Sequence, residues 1–523
     1  MAAPFGSQNL DHLGLVAGMY DELGISEVLD RTILQDTLQR QVSIGQAVKA
    51  LVVNGLGFIN RALYLAPQFF ADKPTERLIG PGIFAEHLND DVLGRALDKL
   101  YEHDVTTLFM LISAQACQRL GLVGSVVHLD STSFHVDGDY HREAAVGVVT
   151  LTKGYSRDQR PDLNQVMLNL IVENRAGLPL LMQPLSGNRN DTASFGRLIE
   201  AHIDQLHTTH QVTYWVADSA LYSEANLRLL SAHRGHWITR VPETVKLAQQ
   251  QGAEVGKPIE LLPGYRYRPV EVDYAGVRQR WLVITSVHAL QRAAPSVERQ
   301  LRKISEQELK AFRRLRRQRF ACEPDARQAL SDFQATLQVL KLAEADVRCT
   351  EQGHHRGWSV QALPASDTEI RWSWLWRRAT FILATNELDD QRLSDQEVLR
   401  TYKQQQQAER GFRFLKDPRF QAHTVFLKSP QRIMALLMVM TVCLLVYAAL
   451  EYRLRQALVE ADTTVPDQKG KPTQRPTMRW IFQLFAGIHV LLIEGQAAMV
   501  LNVKPPQQHI IRLLGPPYQA LYG

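Results

Sequence analysis

The chain is poor in cysteine. Cys117, Cys322, Cys349 and Cys443 are the only four in 523 residues, and none stands in a C-x-x-C pair. That excludes the usual spacing of a cysteine zinc site and argues against a disulfide framework. The first residues, MAAPFGSQNLDHLG, lack a basic stretch leading into an apolar run, so no signal peptide is expected and a cytoplasmic setting is the expectation. No internal repeat is visible. Charge of one sign is lacking too: 59 Lys and Arg against 54 Asp and Glu leave +5, which permits a polyanionic partner without requiring one. Long apolar runs are scarce. Ile433 to Leu450 is uncharged over 18 residues, the length of a short membrane span. It is Met-rich, carries Thr441 and Cys443, and follows a polar helix, so a helix buried on all sides is expected and no membrane partner.

What is present is a well-packed composition, 45% hydrophobic and 22% charged, in a chain too long for one ordinary core. Residues 1–121 read as a helical N-terminal domain, suited either to DNA contact or to support. Ser43 caps IGQAVKALVVNGLG, and a periodic stretch from Val92 runs to Gly121. From Val126 the pattern changes to short β-branched runs alternating with helices. VVHLD, LNQVMLNLIVEN and LPLLMQPLSG come first, then a helix from Thr192, the strand VTYWVAD, a helix from Ser223 and the strand HWITRV. Residues 122–241 therefore read as the first part of a mixed α/β sheet domain. Residues 242–378 read as a β-rich insertion with a basic helix, and 379–460 as the second part of the sheet domain, including one long helix from Asp395 to Leu415. Residues 461–523 read as a flexible linker to about 477 and then a helical C-terminal region.

Three acidic residues stand where ligand-binding carboxylates are placed. Asp130 closes VVHLD and Asp218 closes VTYWVAD, and strand ends are where α/β sheets bind ligands. Either Asp alone could be a helix or turn cap. The third is Glu409, in YKQQQQAERGFRFLK. On one helix Tyr402, Gln405, Glu409 and Lys416 share a face, a poor core stripe and a good phosphate-facing one.

These residues resemble the DDE transposases of bacterial insertion sequences, in the hairpin-forming class marked by Tyr-x2-Arg-x3-Glu-x6-Lys. Tyr402, Glu409 and Lys416 keep the spacing, and Gln405 stands where the signature has Arg. DHLGLVAGMYDELG, GYSRDQRPDLNQ and ERGFRFLKDPRF are also similar to one subgroup. The resemblance implies an RNase H-like catalytic domain interrupted by an insertion, with Asp130, Asp218 and Glu409 as the catalytic and metal-binding residues. It also implies binding of the element's terminal inverted repeats, cleavage at the ends, a hairpin intermediate, and joining of 3′ hydroxyls to target DNA. Work at two ends implies a homodimer or larger assembly on double-stranded DNA.

Converging carboxylates repel one another, and divalent cations make the cluster favourable. Oxygen ligands without Cys or His select Mg²⁺ or Mn²⁺, two ions per site in a phosphoryl-transfer enzyme. Lys153, Arg157, Arg160, Arg189, Arg410 and Arg413 accompany the acidic motifs and suit a phosphate backbone. The block from Arg302 to Arg319 holds eight Lys/Arg against Glu306 and Glu308, and Arg313, Arg314, Arg316 and Arg317 are its expected DNA contacts. Trp372, Trp374 and Trp376 alternate as on one face of a strand. The resemblance implies that an aromatic residue of the insertion holds a base flipped from the duplex, and Trp358, outside that alternation, is the candidate. Three rival readings remain: a metal-dependent nuclease on the same fold without strand transfer, a domesticated DNA-binding protein without catalysis, and a membrane protein anchored by 433–450.

Overall fold

The computed structural model describes residues 5–34, 41–58, 65–136, 147–154, 160–189, 191–253, 259–352, 355–416, 429–493 and 498–523. Its contacts separate into two compact units, Met1–Ile238 with Arg400–Gly523, and Thr239–Leu399.

The first unit opens with strand β1 (Phe5–Asn9) and helices α1 (Leu13–Glu22), α2 (Ile25–Thr32), α3 (Ile44–Gly55), α4 (Ala66–Phe70) and α5 (Thr75–Leu78). Ser43 caps α3 in a full capping box: its hydroxyl accepts from Gln46 N at 3.1 Å, and the Gln46 side chain accepts from Ser43 N at 3.0 Å. The periodic stretch ending at Gly121 is two helices, α6 (Asp90–Glu102) and α7 (Val105–Leu120). Asp104 divides them. Its backbone turns to φ 59°, and its carboxylate caps α7 by accepting from Thr106 N and Thr107 N.

The sheet of this unit comprises β2 (Val126–Val136), β3 (Asn164–Glu173), β4 (Pro179–Ser186), β5 (Tyr214–Ala217) and β6 (His236–Arg240), in the order β4-β3-β2-β5-β6. Helices α8 (Asp191–His210) and α9 (Glu224–Ala232) connect β4 to β5 and β5 to β6. β2, β3 and β4 form an antiparallel meander, while β5 lies parallel to β2. Asp130 does not end its strand. β3 pairs with β2 from Val127↔Glu173 to Val136↔Asn164, so the polar run after Asp130 stays extended on a partner that the sequence pattern did not weigh.

The second unit is mixed α/β rather than mainly β. It contains α10 (Lys246–Ala253), β7 (Ile259–Leu262), β8 (Tyr265–Tyr274), β9 (Val277–Ser286), α11 (Val287–Arg317), α12 (Glu323–Thr336), β10 (Leu340–Gln352), β11 (His355–Ser366), α13 (Thr368–Ala379) and β12 (Thr380–Thr385). β12, β9, β8 and β7 are neighbours in that order, and β10 pairs with β11 as a separate hairpin. The alternating tryptophans do not form a strand face. Asp367 caps α13 by accepting from Glu369 N and Ile370 N, and Leu375 and Ala379, one turn apart, bury its inner side. Helical spacing thus overrides the alternation.

α14 (Asp395–Lys403) crosses the boundary back to the first unit, followed by α15 (Gln406–Leu415) and α16 (Pro430–Glu460). The expected single helix from Asp395 to Leu415 is broken, because Gln405 N bonds to Tyr402 O, three residues back, and tightens the turn. α16 is the centre of the first unit. Its apolar window is 89% buried, packed by α1, α3, α6 and α7, so protein rather than lipid covers it. Arg432 fixes its first turn with a bidentate pair to Asp98 at 2.8 and 2.7 Å. Residues 461–477 are not a loose linker. β13 (Val465–Pro466) pairs with β14 (Pro472–Thr473) around Gly470 at φ 76°, and Trp480 donates to Pro466 O at 2.7 Å.

α17 (Met478–Leu484), β15 (His489–Ile493), β16 (Met499–Leu501), α18 (Pro505–Leu514) and α19 (Pro516–Tyr522) complete the chain. β15 pairs with β1, and α1 accepts α19 closely: a Cβ on Gly14 would meet the Tyr522 ring at 2.7 Å. The early helices thus share a core with the last ones. The division at Asp104 is open to test. Asp104→Ala should lose the cap and destabilise the protein by about 1–2 kcal/mol in urea denaturation, whereas Asp104→Gly, which tolerates the positive φ, should cost only a few tenths.

Candidate active site

The parallel register between β2 and β5 runs from Val126↔Tyr214 to Leu129↔Ala217. The pairing stops one residue short of Asp130 and Asp218, so the two aspartates directly follow the last paired residues of adjacent strands. Both residues are half-buried. One oxygen of each carboxylate accepts a backbone N–H, Ser131 N at 2.8 Å for Asp130 and Ala220 N at 2.9 Å for Asp218. β5 stops at Ala217 and the chain turns towards α9, so Asp218 sits at the open end of the strand.

Alternate residues of β2 share a face. Asp130 therefore points to the same side as Phe134 and Val136, which join one core with Phe412 and Leu415 of α15. α15 packs against β2 and β3. Its C-terminal Lys416 brings Nζ to 5.9 Å from the centre of the Phe134 ring. Glu409 is on this helix, exposed, at the edge of the stripe that buries Phe412 and Leu415. At about 100° per residue, Gln405, Glu409 and Lys416 fall within about 40° of one another. Arg413 lies about 40° from Glu409 and Arg410 about 100°, and both are exposed. Tyr402, half-exposed on α14, is separated from that face by the tight turn.

Two of the three expected carboxylates thus follow the paired stretch of adjacent strands, and the third is carried by a helix that packs on β2 and β3. Among the described residues no three His, Cys, Asp or Glu side chains form a group that could hold a metal ion, so Glu409 does not close a three-carboxylate cluster in this conformation. Gln405 is only 8% exposed, which closes its side chain to an outside ligand here. Of the neighbouring cations, Arg160 is tied to Asp162 at 2.8 Å, and Arg157 lies outside the described residues.

In the second unit, Arg313, Arg314, Arg316 and Arg317 are all exposed on α11 and pair with no carboxylate among the described residues. The helix extends this set. Arg299, Arg302, Lys303, Lys310, Arg313, Arg314 and Arg317 share one exposed side over about 27 Å. Arg316 turns partly away, into a groove of about 720 Å³ that Arg317, Arg319 and Arg348 also line. A helical projection of the sequence would have found Arg299; counting charge in a block did not. Trp358 is half-buried, packed on the cluster of Phe312, Leu330 and Val360, and its backbone exchanges 2.9 Å hydrogen bonds with Phe320. Trp372 is the exposed tryptophan of α13, at 61%.

Comparison with known proteins bears on this arrangement. Residues 5–114 match a family described as a domain of unknown function (DUF4277). No match is found among curated proteins. Among solved structures the chain is similar to one titled "Cryo-EM structure of piggyBac transposase synaptic complex with hairpin DNA". The identity is 10% over 92% of this chain and 83% of that one, with a TM-score of 0.39, too low to support an argument. Residues 122–446 match the family described as "Transposase DDE domain". That span takes in β2, β5 and α15, covers more than half of the chain, and makes this protein a member of the DDE transposase family.

Proposed function

We propose that this DNA transposase is of the insertion-sequence, hairpin-forming kind, and that Asp130, Asp218 and Glu409 are its catalytic carboxylates. The observation that supports the reading is the β2–β5 register, whose last pair, Leu129 with Ala217, immediately precedes Asp130 and Asp218. The strand order β4-β3-β2-β5-β6, an antiparallel meander continued by a strand parallel to β2, supports an RNase H-like core. All three donors are carboxylate oxygens, a set that fits Mg²⁺ or Mn²⁺ and not zinc. Two such ions would stabilise charge on the attacking and leaving oxygens of in-line displacement at phosphorus.

The remaining roles belong to the chain's own residues. The Ser131 and Ala220 amides orient the two aspartates before DNA arrives. Glu409, on the exposed edge of α15, joins the pair only once metal ions draw the three carboxylates together, while Phe412 and Leu415 keep that helix on the sheet. Lys416 and Tyr402 hold the strand at the scissile phosphate, with Arg413 nearest to assist, Arg410 further round the helix, and Gln405 behind them. Water nicks one strand to free the terminal 3′ hydroxyl, which attacks the opposite strand's phosphodiester and releases the flanking 3′ oxygen as the hairpin forms. A second water opens the hairpin, and the freed 3′ hydroxyl joins target DNA with displacement of a target 3′ oxygen. The basic side of α11 lies along the phosphate backbone of the terminal repeat, and the half-exposed Trp358 ring serves a flipped base. Two element ends require at least two protomers.

Three outcomes test these assignments. Asp130→Ala, Asp218→Ala and Glu409→Ala should each reduce cleavage of terminal-repeat DNA by several orders of magnitude while leaving gel-shift affinity largely intact. A nearly unchanged cleavage rate for Asp218→Ala would remove it from the site.

Neutralising Arg313, Arg314, Arg316 and Arg317 together should weaken DNA binding and flatten its salt dependence. The slope of log K against log salt should fall by about 0.9 for each lost phosphate contact. An unaltered slope would make the stripe an ordinary solvated face.

Lys416→Ala should block hairpin formation more severely than initial nicking. Denaturing gels of end-labelled DNA separate nicked strand from hairpin. Hairpin at the normal rate in Lys416→Ala would end the phosphate-holding role.

A further inference from the structure

The second unit contains a cavity of about 400 Å³ that the catalytic reading does not use. Its volume is in the range of small-molecule sites. Val241, Ala248 and Ile382 line it with buried apolar surface, at 2%, 6% and 6% exposure. Arg240 places its guanidinium over the Phe381 ring, 6.0 Å from its centre, so an aromatic ring and a positive charge lie together in the lining.

The charges at this cavity do not cancel. Glu243 is the acidic residue of the lining, and it pairs with Arg240 at 2.9 Å. Arg377, in the last turn of α13, is exposed and has no carboxylate partner among the described residues. Gln249 donates from Nε2 to Glu243 O at 2.9 Å, which anchors its amide at the rim with the carbonyl oxygen left to accept a hydrogen bond.

An apolar floor, an aromatic–guanidinium wall, a hydrogen-bond acceptor and an uncompensated guanidinium suit a ligand with a flat heterocycle and an anionic phosphate. We propose that this cavity binds a nucleoside monophosphate unit, its base against Phe381 and Arg240 and its phosphate on Arg377. Bases stack on aromatic rings and on guanidinium planes alike, and Arg offers a phosphate two parallel N–H donors. A free nucleotide and an unpaired nucleotide of a DNA strand present the same chemistry.

The test uses the full chain and calorimetric or fluorescence titration with dAMP, TMP and inorganic phosphate. It also uses a blunt duplex and the same duplex with one unpaired terminal nucleotide. Mononucleotide binding should weaken about ten- to hundredfold in Arg377→Ala and about tenfold in Phe381→Leu. Binding of inorganic phosphate should not respond to Phe381→Leu. A gain from the unpaired nucleotide that Arg377→Ala abolishes identifies a DNA strand as the source. Mononucleotide binding without that gain identifies free nucleotide. The proposal is overturned if neither probe binds, or if binding ignores both substitutions. Arg377 is an exposed side chain, so its loss leaves the fold intact. Asp130→Ala should bind the mononucleotide normally, which separates this result from the fate of the catalytic assignment.

Discussion

Asp130 and Asp218 directly follow the last paired residues of two adjacent strands, and carboxylates brought together there repel one another. The first unit is built so that this cost does not separate them. β2 is paired on both sides, by β3 along nearly its whole length and by β5 up to the step before Asp218. Moving Asp130 away from Asp218 would break that ladder and expose the core that Phe134 and Val136 share with α15 and α16. The backbone amides of Ser131 and Ala220 then lower the local cost by donating to each carboxylate. Carboxylates held together against repulsion are what a polyvalent cation can exploit.

The third acid is held by a different kind of constraint. Glu409 sits on a short helix between a tight turn and Lys416, and burial of Phe412 and Leu415 fixes that helix on the sheet. The apolar and polar stripes of α15 are adjacent, so packing the first presents the second. α16 behind it supplies most of the surface, because a helix apolar on every side can be covered from every side. That is also why a run long enough to span a bilayer ends up inside protein.

Charge is arranged differently in the second unit. α11 has only Val297, Leu301 and Phe312 fully buried along 31 residues, and its outer side is almost uniformly basic. Unpaired guanidinium and ammonium groups in water cost little, and they gain most from a partner that carries phosphate at regular spacing. Their repulsion of one another is relieved when such a partner binds.

Much of this was legible in the chain itself. Ser43 and Gly121 marked the ends of α3 and α7, β-branched runs located β2 to β6, and the Tyr-Glu-Lys spacing around Glu409 carried the family resemblance, because each of these signals is local. The register that brings Asp130 and Asp218 to adjacent strands is not local, since they lie 88 positions apart (218 − 130). Nor is the extension of β2 beyond Asp130, where the antiparallel partner rather than the polar sequence decides the conformation. Alternating tryptophans read as a strand until a cap at Asp367 and burial of Leu375 and Ala379 made them a helix. Residues 461–477 read as linker because their composition is polar, and the β13–β14 pairing together with Trp480 and Arg455 donating to their carbonyls gives them a fixed path. Sequence by itself determined which residues carry the chemistry and which segments repeat with a helical or extended period. Tertiary structure alone decided which of those residues meet, because proximity across a sheet is set by hydrogen-bond register and by what the opposite face must bury.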